Sequence, residues 1–179
     1  QKEQSGGILL GKEHMMFPRT FGLLDSENRT LPKNTAAVEA LCQRYPGKVN
    51  VMLVPAASAI YPENVPAGAP LLDEGSYLNS LSDAVQAAGG RFVDVRDTLK
   101  AHKDEYLYYR TDHHWTSLGA YYAYSQLCEA LGLTPFDPAA HTALTRDGFY
   151  GTHYSKARTW NAVPDTITYY ELQNALTIW

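Results

Sequence analysis

Hydrophobic residues recur along this chain in short blocks whose period changes from helical to extended and back. NTAAVEALCQRY (34–45) opens on Asn34 or Thr35 as an N-cap. It then sets Ala37, Val38, Leu41, Cys42 and Tyr45 at helical spacing before Pro46-Gly47 stops the run. VNVMLVP (49–55) is a nearly continuous apolar stretch between breakers, the pattern of a strand covered on both faces. A proline-rich loop, AASAIYPENVPAGAP, follows. From Asp73 a second helix puts Leu78, Leu81, Val85 and Ala88 on one face and ends at Gly89-Gly90. RFVDV (91–95) predicts a second strand, 97–103 a short helix and EYLYY (105–109) a third strand. A helix over 117–131 carries Ala120, Ala123, Tyr124, Leu127 and Leu131 on one side, with Gly132 as its C-cap. Helices alternating with strands predict an α/β fold with a mostly parallel sheet, in one domain spanning 1–179. Beyond about residue 133 the pattern turns irregular, apart from one predicted strand, TITYYEL (166–172).

Composition narrows the function classes. The chain has 179 residues, long enough for a core without staples, and a net charge of −4, which argues against a nucleic-acid partner. No apolar run approaches the ~18 residues of a membrane span. The start, QKEQSGG, suggests a processing boundary with an anchor or leader removed upstream. Cys42 and Cys128 are far apart in sequence and are expected to be buried free thiols, with a disulfide between them as the alternative. Thirteen tyrosines against five phenylalanines suit polar clefts and carbohydrate-facing surfaces, although wetted core edges would use them equally well.

Candidate chemistry concentrates in YYRTDHHWTSLGAYYAY (108–124). In an open parallel sheet, ligands gather where strands end and loops lead into helices, and residues 110–116 form such a loop. Asp112 and His114, two apart, project to one side of an extended segment, and a carboxylate there can fix the imidazole tautomer a general base needs. His113 then faces the other way, Trp115 walls the site or packs beneath it, and Thr116 or Ser117 caps the helix. A buried aspartate with satisfied histidines would need no catalysis. A metal site is not expected, because adjacent histidines diverge and no HxH or HxxxH partner accompanies them. His102, His141 and His153 are expected as surface or loop histidines. The nucleophile is harder to find. Ser58, Ser117 and Ser155 lie outside any GxSxG elbow, and Ser155, beside Lys156, is the weak candidate. Ser58 and Tyr61, after the first strand, are weaker candidates for substrate contact, as are His113 and Trp115.

The TDHHWT stretch with its following Gly-Ala-Tyr resembles the signature of the DHHW family of bacterial proteins. MLVPAASAIYPENVP, FYGTHYSKA and PDTITYYEL resemble other blocks of that family, so the likeness runs from about Gly7 to Leu172. That family is similar in turn to the SGNH-hydrolase-like proteins of alginate O-acetylation, in which an Asp-x-His-Trp motif supplies the acid and base of a Ser-His-Asp triad. The resemblance implies a three-layer α/β/α sandwich and a serine-dependent esterase or O-acetyltransferase. Asp112 and His114 would be the acid/base pair and Trp115 the tryptophan that follows. It also implies an acyl or acetyl ester on an extracytoplasmic polysaccharide, and no cofactor. The family's serine stands in a later Gly-Asp-Ser block that this chain lacks, so the sandwich is expected to be incomplete at its C-terminal end. The alternative is a catalytically silent module that binds glycan or a partner.

Overall fold

The computed structural model describes residues 4–20, 30–69 and 71–171. Three short strands come first: β1 (Gln4–Ser5), β2 (Ile8–Leu10) and β3 (Met16–Pro18) form an antiparallel sheet in that order. Their inward residues Ile8, Leu9, Met16 and Phe17 are buried. The sequence patterns gave no sign of this sheet, because two- and three-residue strands are too short to show a period.

The helix α1 (Thr30–Arg44) starts earlier than the Asn34 or Thr35 cap suggested, with Pro32 accommodated in its first turn. The strands β4 (Asn50–Val51) and β5 (Arg91–Phe92) pair in parallel, as expected of a strand–helix–strand unit, but each has shrunk to two residues. Between them lie α2 (Ala57–Ile60), a single 3-10 turn at Pro62–Asn64, and α3 (Glu74–Ala87). Asp73 caps α3 through its carboxylate and the Ser76 amide. Cys42 meets Leu81 and Val85 in a small core between α1 and α3, and both cysteines are buried free thiols.

After α4 (Arg96–Ala101), the predicted third strand does not form. Residues 105–116 fold back on themselves instead, with one isolated bridge between Tyr108 and Trp115. The Thr116 amide donates to the Leu107 carbonyl, and its hydroxyl donates to the Tyr106 carbonyl. Tyr residues with wetted edges look strand-like in sequence, yet here they line a tight reversal. The helix α5 (Ser117–Leu131) agrees with its predicted limits. Thr116 is the N-cap, and Gly132 closes it in the left-handed region (φ 69°). Gly119 lets the helix approach the reversal, since a Cβ there would collide with the Leu107 carbonyl.

The segment expected to be irregular holds a hairpin interrupted by a helix. β6 (Ala143–Phe149) pairs antiparallel with β7 (Asp165–Tyr170), and α6 (Thr152–Ala157) lies between them. The strand predicted over 166–172 therefore exists as β7, and Leu172 falls outside the described residues. Among the described residues the sheets are thus small and of mixed direction, and the mostly parallel sheet is represented by one pair. The main core gathers Phe17, Ile60, Tyr61, Val93, Val95, Leu99, Leu107, Tyr108 and Ala123 from most of these elements. No helix among the described residues is long and apolar enough to cross a membrane.

Candidate active site

The site is built on the turn at 110–114, held from below by one carboxylate. Asp165, the first residue of β7, is 0% exposed. Its oxygens accept the amides of Arg110 (2.8 Å) and Thr111 (2.9 Å), the Thr111 hydroxyl (2.5 Å) and the Tyr106 hydroxyl. Four donors on one buried carboxylate leave the turn little freedom. Burial, and then the bond to Asp165, raise the Tyr106 phenol above its ordinary range, so it stays a donor. The other side of Thr111 is fixed by α6. Its carbonyl accepts the amides of His153 (3.0 Å) and Tyr154 (3.1 Å), and its hydroxyl accepts the Gly151 amide (2.9 Å).

Asp112 is thereby pressed onto the start of α6. Gly151, the N-cap, has no side chain to offer the helix. Asp112 takes over that task from 40 residues away, accepting the Thr152 amide at 2.6 Å through Oδ2. A Cβ on Gly151 would overlap this carboxylate, coming within 2.7 Å of Cγ. Oδ1 accepts the His114 amide (3.0 Å) and lies 2.5 Å from His114 Nδ1. Burial by itself would raise the Asp112 pKa. The bonds from the Thr152 amide and from the His114 ring and amide outweigh it, holding the carboxyl well below the usual range.

This geometry assigns the tautomer. An ionised carboxylate only accepts, so the proton between Asp112 and His114 sits on Nδ1, and Nε2 of the neutral ring carries a lone pair. The His114 side chain is 64% exposed, so that lone pair can meet a substrate or a partner group. The arrangement can take a proton at Nε2 and stabilise the resulting imidazolium through Asp112.

His113 does not point to the opposite face. Residues 111–114 are bent rather than extended, so strand alternation fails. The two rings lie side by side, with centroids 3.8 Å apart. His113 Nδ1 bonds the Thr152 hydroxyl at 2.8 Å. Asp112, His113 and His114 could each offer a ligand atom within 4.8 Å of the others. Asp112 Oδ1, His114 Nδ1 and His113 Nδ1 are already engaged in hydrogen bonds, which leaves the two Nε2 atoms for any ion. The 2.5 Å between Asp112 and His114 is a hydrogen bond, whereas two ligands on one zinc ion, at bonds of about 2.0–2.1 Å, would stand farther apart.

The remaining candidates fall apart spatially. Ser155 donates its hydroxyl to the Gly151 carbonyl within its own helix (3.1 Å), and no bond joins it to His114 among the described residues. Ser58 lies half-buried in α2. Tyr61 is a core residue, packed edge-on against Tyr108 with its hydroxyl on the Glu105 carbonyl. Trp115 packs partly buried against the core. His102 stacks on Tyr122 and His141 on Phe136, as peripheral histidines would. His153 differs from its expectation. It is 4% exposed, 6.0 Å from the His113 ring, and its Nδ1 has no hydrogen-bond partner. Burial, followed by the neighbouring His113, Lys156 and His114, lowers its pKa to about 4 although Asp112 pulls the other way. Asp165, Thr111, Gly151 and Thr152 fall in stretches singled out above, but their roles could not be read there, because they depend on contacts some 40 to 55 residues apart.

Residues 8–161 match the family described as the SGNH hydrolase-like domain of the acetyltransferase AlgX. The chain belongs to that family. The SGNH-like chain is 27% identical over 152 residues to a probable alginate O-acetylase AlgJ from Pseudomonas aeruginosa strain PAO1, covering 82% of this chain and 39% of that protein. It is 26% identical over 130 residues to the AlgJ of Pseudomonas syringae pv. tomato, covering 70% of this chain and 33% of that one. It thus spans only about a third to two fifths of these curated relatives. Among solved structures it resembles a DHHW family protein from Eubacterium siraeum, with TM-score 0.75, 29% identity and coverage of 93% of this chain and 55% of that one. The O-acetyltransferase domain of Pseudomonas putida AlgJ shares the fold, with TM-score 0.68, 22% identity and coverage of 90% and 63%. The SGNH-hydrolase-like α/β fold follows from these matches.

Proposed function

We propose that this chain supplies the acid/base half of a serine-dependent acetyl transfer onto, or ester hydrolysis from, an extracytoplasmic polysaccharide. The observation that carries the reading is the Asp112–His114 pair. The carboxylate is kept ionised by backbone donors, and the ring is held in the tautomer that frees Nε2. In the proposed reaction, Nε2 takes the proton of a serine hydroxyl as its oxygen attacks the acetyl carbon. His114 then returns that proton to the departing alcohol. A second hydroxyl, of glycan or water, attacks the acetyl-serine in the next half-reaction. Asp112 orients the ring and offsets its charge, and no metal or cofactor takes part.

The serine in this reading comes from chain outside these 179 residues, and the same additional chain would extend β4 and β5 into the mostly parallel sheet of a three-layer sandwich. The greater length of the relatives supports this, as does the engagement of Ser155 within its own helix. Residues 1–179 would then be part of one SGNH-like domain. The relatives' names, alginate O-acetylase and O-acetyltransferase domain, support an acetylated glycan as substrate.

A sulfonyl fluoride tests this directly. In the longer protein that carries these residues it is expected to modify one serine, at least about a hundredfold more slowly after His114→Ala. In the 179-residue chain it is expected to modify none. Labelling indifferent to His114 would leave a silent binding module as the reading. Acetyl-ester turnover by the short chain, lost with His114→Ala, would instead return Ser155 or Ser58 to the role of nucleophile.

A further inference from the structure

The helix α6 starts at Asp112 and ends at a groove that the acid/base pair does not use. The groove encloses about 1170 Å³ between the β2–β3 turn, residues 62–67 and residues 157–162. That exceeds the roughly 300–1,000 Å³ of small-molecule pockets and suits an extended ligand. Two features mark it. Trp160, on its rim, is 97% exposed, an unusual position for so large an apolar surface. In addition, the non-glycine residues with left-handed backbone among the described residues line it: Glu13 (φ 52°) and His14 (φ 60°) in the β2–β3 turn, and Arg158 (φ 45°) as the C-cap of α6. The turn and the helix end fix these backbones, so the side chains of Glu13, His14 and Arg158 are held in place along the groove.

The lining chemistry selects the occupant. Lys12 and Arg158 balance Glu13 and Glu63, and Glu63 is also held by Lys103 at 3.0 Å. A groove without net charge offers a dense polyanion little attraction. It offers hydroxyls a set of charged and amide partners, Asn161 among them, and it offers a sugar-ring face one open indole. The six residues of α6 put this groove on the order of 9 Å from Asp112 along the helix axis.

We infer that the groove binds a polysaccharide strand through ring faces and hydroxyls, with one sugar stacked on Trp160. In this way it would hold the acceptor that the Asp112–His114 pair serves. The inference rests on the glycan reading above but not on its chemistry, because binding is read without turnover. Titrating the chain with neutral 1,4-linked hexamers of glucose, mannose and N-acetylglucosamine, beside a mannuronate hexamer, is expected to shift the Trp160 indole resonance with at least one neutral sugar. The affinity should change less than about twofold between 20 and 500 mM NaCl, since little charge is neutralised. Trp160→Ala should weaken it at least about tenfold, and its near-complete exposure keeps that variant folded. Arg158→Gly removes the guanidinium but suits the left-handed backbone, so it should bind more weakly while unfolding no more easily than wild type. No shift with any hexamer, binding that survives Trp160→Ala, or binding confined to mannuronate and abolished by salt would each overturn the inference.

Discussion

Asp112 and Gly151 constrain each other at the level of single atoms. The carboxylate occupies the space a Cβ would need, and it caps the helix that the glycine begins. Gly151→Ala should therefore cost about 1–3 kcal/mol of stability, as overpacking does, read by denaturant unfolding. It should also remove the downfield Nδ1 proton resonance of His114 by displacing its acceptor. Asp112→Ala leaves the Thr152 amide without its partner and should cost about 1–3 kcal/mol by the same measurement. A pure catalytic residue would leave stability unchanged or improve it on removal, so a loss of stability in Asp112→Ala reports its capping role.

At the scale of elements, the reversal 105–116 is carried by contacts to β7 and α6 rather than by a strand of its own. Asp165 gathers the Tyr106, Arg110 and Thr111 donors at one point. Asp165→Ala should accordingly be among the most destabilising single changes, by about 3–5 kcal/mol as a lowered midpoint in urea, because buried donors lose their common acceptor. Helices with strong periods and caps were legible in the sequence: α3 from Asp73, and α5 from Thr116 to Gly132. Asp112 and His114 were legible as a pair from composition and spacing. Their geometry was not, because alternation assumes an extended backbone and Asp165 supplies a turn. The β6 half of the 143–170 hairpin went unseen for a related reason. That strand, ALTRDGF, is mostly exposed and carries no buried stripe from which to infer it.

For the molecule as a whole, His153 sets an acid limit on stability. Folded, it stays neutral down to about pH 4, whereas in the unfolded chain an imidazole takes its proton near 6.5. Between those values the unfolded state binds more protons, so stability falls as pH falls, by at most about 1.4 kcal/mol per unit. Asp112 adds to this only at the acid end: its lowered pKa stabilises above the unfolded carboxyl value near 3.9 and is lost below it. Thermal midpoints from pH 7 to 4 should show the decline. His153→Phe, which cannot titrate and leaves no unpartnered Nδ1, should flatten it. The fold class was readable from alternating elements and from family likeness. The sheet arrangement was not, because local period cannot say which strand edges find partners.

The way α6 and β7 embrace residues 110–114 also sets an order of events during synthesis. A nascent chain that has emerged only as far as residue 142 already displays Asp112, His113, His114 and Trp115, but not the amide that fixes the carboxylate or the aspartate that bends the turn. Its imidazoles are ordinary surface groups until Asp165 arrives. The proton-accepting ring is therefore armed only once Thr152 and Asp165 have both been made.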